Sequence, residues 1–144
     1  MNEMTAETFH ISIGGFDAFQ MSVVLKDGAL VYEYRESMYG ELLASKTIKP
    51  TEQQWRAFWG QVRTIGAQYW REEYSSAVLD GLQWEIELSG NELEVKSWGS
   101  NAYPPANKAY PSEAFKQLLK AVGELLDDND FIKRWYYDYA VGAE

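Results

Sequence analysis

Over the first third of the chain, apolar residues recur at every second position, the spacing of a strand with one buried face. Between Thr8 and Ile13, Phe9, Ile11 and Ile13 alternate with His10 and Ser12. From Phe16 to Arg35 two such runs flank Asp27-Gly28, a pair suited to the positive-φ positions of a type I′ turn, so this segment reads as a β-hairpin. Pairing Leu25 with Leu30, Val23 with Tyr32 and Met21 with Tyr34 collects six apolar residues on one face, which a one-residue slip would scatter. Leu42 to Ile48 is predicted as a fourth strand on a weaker alternation.

The period changes after Pro50. Thr51 is a good N-cap and Gln54 stands where a capping box needs it. Trp55, Phe58, Trp59, Val62, Ile65 and Tyr69 then recur at three- and four-residue steps, which predicts a helix that Gly66 frays or ends. A stripe this aromatic is read as the face packed on a sheet rather than as a ligand groove. Trp70 to Val78 fits either an extended strand or a loop.

A second hairpin follows, with Gly90-Asn91 predicted at its turn. That choice sets Leu88 opposite Leu93, Ile86 opposite Val95 and Trp84 opposite Ser97 on the apolar face. On the wet face it sets Ser89 opposite Glu92, Glu87 opposite Glu94 and Glu85 opposite Lys96. Gly99 to Pro111 holds three prolines and is predicted as a loop, after which Ser112 caps a second helix. Phe115, Leu118, Leu119, Val122, Leu125 and Leu126 form the buried stripe of that helix, and Asp127-Asp128-Asn129-Asp130 stops it. The tail from Phe131 to Ala140, with Trp135, Tyr136, Tyr137 and Tyr139, is too apolar to stay in water and is expected to dock as a short helix or strand. Together these elements predict an α+β fold: a curved antiparallel sheet of two hairpins plus flanking strands, with two amphipathic helices packed on one face.

Composition narrows the classes of function. A chain of 144 residues suits one domain, expected over residues 1–144, and 46% hydrophobic residues are enough to build a core rather than leave it disordered. Cys is absent, which removes disulfides, thiolate metal sites and a Cys nucleophile. With 22 acidic against 13 basic residues the formal charge is −9, which disfavours nucleic acid and anionic membrane surfaces and is compatible with a basic protein partner or a divalent cation. No long apolar run and no basic-flanked leader precede the first strand, so a cytoplasmic location is expected.

Candidate chemistry is sparse. Like charges directly opposite in a hairpin are destabilising, so Glu87 and Glu94, with Glu85 and Glu92 adding to the field, read as the site of a shared cation, as a surface for a basic partner or as a solvated edge. A flat strand face of glutamates is a poor calcium cage, and no metal or cofactor is expected. A paired-carboxylate hydrolase would need one carboxyl in an apolar pocket, which a wet hairpin face does not offer. His10, the lone histidine, has no Gly-x-Ser-x-Gly elbow to serve, so no catalytic residue is predicted. Gly14-Gly15 lacks the Lys-Ser/Thr of a phosphate loop and reads as a turn, and the Asp127–Asp130 run lacks the Gly and Glu of a calcium loop. The segment Gly99 to Pro105 has two readings. It is a rigid loop presenting Trp98, Ser100, Asn101 and Tyr103 for recognition, or a shaped connection with Tyr103 packed down.

Asp80-Gly81-x-x-Trp84 followed by Gly99-Ser100-Asn101-Ala102-Tyr103-Pro104 resembles a signature of small uncharacterised bacterial proteins, in which a DGxxW hairpin leads into a GSNAYP-type loop before a C-terminal helix. The resemblance covers about the last half of the chain and implies a bacterial cytoplasmic domain without a transferable activity. The functional expectation is a non-catalytic acidic protein-interaction module, inhibitor-like or immunity-like. The alternative is a small-molecule or carbohydrate-binding protein, or weak hydrolase, using the aromatic loop around Trp98 and Tyr103.

Overall fold

Alternating apolar residues build seven strands among the described residues: β1 (Thr8–Gly14), β2 (Gln20–Lys26), β3 (Ala29–Arg35), β4 (Leu42–Ile48), β5 (Glu73–Ser75), β6 (Gln83–Gly90) and β7 (Leu93–Ser100). They form one sheet in the order β4-β3-β2-β1-β6-β7-β5. The structure, a computed structural model, describes residues 5–15, 19–37, 39–75, 82–100, 102–104, 112–128 and 131. Two helices, α1 (Glu52–Ile65) and α2 (Glu113–Leu125), pack on the apolar face, giving a single α+β domain as expected.

β1 joins the two hairpins, pairing antiparallel with β2 on one side and β6 on the other. The sheet is mixed rather than purely antiparallel, because β5 runs parallel to β7. That short edge strand occupies part of the segment that sequence left open between strand and loop; residues 76–78 of it lie outside the described residues.

The β2–β3 register matches expectation, with Leu25 on Leu30, Val23 on Tyr32 and Met21 on Tyr34. The β6–β7 register does not. Leu88 lies opposite Val95, Ile86 opposite Ser97 and Trp84 opposite Gly99. The turn residues are Asn91 (φ 49°) and Glu92 (φ 62°), one place further on than predicted. Gly90 is needed at the end of β6 instead, at φ 154°, because a Cβ there would stand 2.7 Å from Trp59 Cζ2 and 2.9 Å from the Thr5 carbonyl oxygen. The shift moves each partner by two places, so every side chain keeps its face while changing its neighbour.

Both predicted caps are present. Thr51 Oγ1 accepts from the Gln54 N–H at 3.1 Å and the Gln54 side chain accepts from the Thr51 N–H at 2.8 Å, satisfying two otherwise free donors of α1. Trp55, Phe58, Trp59 and Val62 are buried as the stripe implies. Tyr69 is not part of that stripe and stands 84% exposed, because Gly66 at φ 81° ends the helix and a 3-10 turn (Ala67–Tyr69) follows. Ser112 caps α2 by accepting from the Phe115 N–H at 3.0 Å, and all six predicted stripe residues from Phe115 to Leu126 are buried. Asp127 at φ 53° takes the chain out of the helix. Of the aromatic tail, Phe131 is buried with its ring 5.3 Å from that of Tyr32; its other aromatic residues lie outside the described residues.

Candidate functional site

With the helices on one face, the outer face of the sheet carries the polar members of each alternation. Strand registers arrange them in rows. One row runs Arg35, Gln20, Gly14, Gln83, Ser100 and Ser75; the next runs Glu33, Ser22, Ser12, Glu85, Trp98 and Glu73. Gly14 interrupts the first row with a missing side chain, and the Gln20 amide lies over the space where a Cβ would stand. The result is an open groove of about 520 Å³ lined by Ser12, Gly14, Gln20, Gln83, Glu85, Trp98 and Ser100, with Trp84 and Gly99 also in its wall. Its volume falls in the range of about 300–1,000 Å³ usual for small-molecule sites.

Trp98 supplies the groove's exposed apolar surface, with 41% of the residue accessible. Its backbone is held from both sides, since β7 pairs with β6 and β5 and the Trp98 N–H donates to the Glu72 carbonyl at 2.8 Å. With the backbone paired on both sides, no main-chain ordering is left to be lost when a ligand meets this side chain. Glu85 and Glu73 flank Trp98 in the same row, and neither is ion-paired to a described residue.

The inner side of the same segment is structural. The Trp84 indole N–H donates to the Ala102 carbonyl at 2.8 Å and crosses Gly99 so closely that a Cβ there would collide with it. Trp84 also stacks with Tyr103 at 6.3 Å and meets Phe115 edge-on at 5.0 Å. Ser112 Oγ donates to the Pro104 carbonyl and ties the loop to the start of α2. Tyr103, proposed from sequence as a binding residue, is fully buried in this aromatic cluster and is not presented to a ligand. The loop's glycine and aromatic residues are there to pack Trp84.

The remaining candidates separate. Glu85, Trp98 and Ser100 share the groove. Glu87 is opposite Lys96 on one side and His10 on the other, not opposite Glu94, and Glu94 faces Ser89. The repulsive Glu87–Glu94 pair expected from sequence is thus replaced by an opposite-charge pair, for the same reason the turn moved: Gly90 is held against Trp59. Glu92 sits in the turn. Asn101 lies outside the described residues. No family model matches the chain, and no curated protein or solved structure is significantly similar to it.

Ser12, Gly14, Gln20 and Gln83 were not predicted as site residues. Gln83 lies in the same hairpin, opposite Ser100, whereas Ser12, Gly14 and Gln20 reach Trp98 only through the β1–β2 and β1–β6 pairings, and the β1–β6 pairing is long-range. The available signal was Gly14 itself: it ends β1 inside the sheet rather than forming a turn, and a glycine at an outward position of an alternating strand marks a place where side chains are kept away. Among the described residues no three His, Asp or Glu side chains gather to hold a metal ion, and no helix is long and apolar enough to cross a membrane.

Proposed function

We propose that this is a non-catalytic binding protein whose ligand seats in the outer groove at Trp98. The observation that carries this reading is the convergence of one exposed indole with two amides, two hydroxyls and a carboxylate on a rigid sheet. Few, well-placed polar groups beside an aromatic surface are what small-ligand sites use to fix orientation. Glu85 is exposed, whereas a carboxyl working as general acid is kept in an apolar setting, so binding is favoured over hydrolysis. The test is a titration of the 15N-labelled full chain with a mixed library of small polar compounds. Hits should shift the Trp98 indole resonance in wild type and lose affinity in Trp98→Ala; compounds that bind without touching the groove would overturn the reading.

A second reading keeps the acidic interaction module, inhibitor-like or immunity-like. It is favoured by Glu73 and Glu85 standing either side of Trp98 and by the −9 net charge, a setting for a Lys or Arg of a basic partner. Reversing both charges, Glu73→Lys with Glu85→Lys, should abolish capture of such a partner from native lysate; capture unaffected by the reversal would sink it. The DGxxW and GSNAYP resemblance adds a bacterial cytoplasmic setting to either reading.

A further inference from the structure

We infer that the ligand of the outer groove is a neutral polyhydroxyl compound, a sugar ring laid against Trp98; this rests on the groove being the binding site. The lining chemistry selects among ligand classes. Gln20 and Gln83 each offer both an amide donor and a carbonyl acceptor, Ser12 and Ser100 each offer a hydroxyl that donates and accepts, and Glu85 accepts. A ring bearing several hydroxyls, every one of them donor and acceptor, can satisfy such a set. An anion cannot, because among the described residues no Lys or Arg lines the groove and Glu85 repels it. A purely apolar ligand would leave these amides and hydroxyls without water or partners, at a cost it could not recover from one indole.

Trp98 completes the match. The carbon-bound hydrogens of a sugar ring present a weakly positive apolar face, and the face of an indole is electron-rich, so the two stack while the equatorial hydroxyls point outward to the amide and carboxylate rim. Gly14 has a defined part in this arrangement. By carrying no side chain between Gln20 and Gln83 it leaves room for the Gln20 amide to lie across it, and its pairing with both residues brings the two amides to one stretch of the groove floor. Gly14 is an ordinary strand residue without a positive φ, and the group that a Cβ would meet is the movable end of Gln20. Substitution there alters the groove with little effect on the fold.

The experiment is an NMR titration of the 15N-labelled full chain with a panel of neutral mono- and disaccharides, alongside choline chloride, lysine methyl ester and inorganic phosphate. At least one neutral saccharide should shift the Trp98 indole together with the amides of Ser12, Gln83, Glu85 and Ser100. Trp98→Ala should weaken its binding at least tenfold, Trp98→Phe less, and Gly14→Ala at least several-fold with an unchanged thermal midpoint. A groove that responds only to choline or the lysine ester overturns the sugar assignment and leaves the groove as a cation site. A groove that responds to nothing in the panel overturns the sugar assignment, and if it is silent toward the mixed library as well, the groove reading falls with it. A saccharide whose affinity survives Trp98→Ala also overturns the proposal.

Discussion

The β2–β3 and β6–β7 hairpins close with the same two-residue turn geometry, but glycine serves a different end in each. In the first, Asp27 (φ 52°) and Gly28 (φ 81°) are the two left-handed residues, and nothing lies within 4 Å of where a Gly28 Cβ would be. There glycine serves the backbone alone. In the second, the left-handed positions fall to Asn91 and Glu92, and Gly90 stands just before them with the Trp59 ring and the Thr5 carbonyl pressed against it. Trp59 is itself fixed, its indole N–H donating to that same carbonyl at 3.0 Å. The contrast teaches that a glycine beside a turn reports a local requirement only where no distant side chain needs its space.

The largest effect should come from removing that space. Gly90→Ala combines a backbone region costing an L residue about 1–3 kcal/mol with overpacking against Trp59 of similar size, so a loss of about 3 kcal/mol or more in urea unfolding is expected. Gly28→Ala meets no neighbour and should lose only the left-handed penalty of about 1 kcal/mol. Equal losses at the two sites would erase the distinction between them. Partial recovery of Gly90→Ala by Trp59→Phe, which removes the Cζ2 side of the indole, would tie the difference to that contact.

Much of the fold is written locally and was legible for that reason. The capping box at Thr51, the cap at Ser112, the two helical stripes and the period-two strands each depend on neighbours within a few residues. What escaped was set at a distance. The β6–β7 register depends on Trp59 from α1, the parallel pairing of β5 on a strand placed after it in the chain, and the fate of Tyr103 on Trp84 and Phe115 closing over it. The candidate site divides along the same line. Glu85, Trp98 and Ser100 were visible as outward residues of one hairpin, to which Gln83 also belongs, while Ser12 and Gln20 join them only because β1 is inserted between the two hairpins.

A smaller effect of opposite sign is expected at the second turn. Glu92 holds φ 62° without the freedom of glycine, so Glu92→Gly relieves about 1 kcal/mol of left-handed strain and gives back part of it in unfolded-chain entropy. A net gain of roughly 0.5 kcal/mol in unfolding free energy, read in urea, is the expected result. Had Gly90-Asn91 been the turn, the same change would fall on a strand residue and destabilise, so the sign alone distinguishes the two geometries.

The smallest effect distinguishes the registers through charge. Glu87 lies opposite Lys96, with Glu94 on a diagonal two places away. Opposite charges so paired couple by roughly 0.2–1 kcal/mol, and exposure puts this pair near the low end. A double-mutant cycle of Glu87→Ala and Lys96→Ala should therefore show favourable coupling of about 0.3 kcal/mol that fades in about 1 M salt, where screening shrinks the Debye length to about 3 Å. The Glu87 and Glu94 cycle should show a weaker, unfavourable coupling, because diagonal neighbours stand about 7–8 Å apart. A stronger repulsion between the two glutamates than attraction to Lys96 would restore the register with Gly90-Asn91 at the turn. That outcome would reach the groove as well: the two-place shift that brings Glu87 to Lys96 also brings Glu85 beside Trp98, and in the other register Glu85 would face Lys96 while the indole stood opposite Gln83.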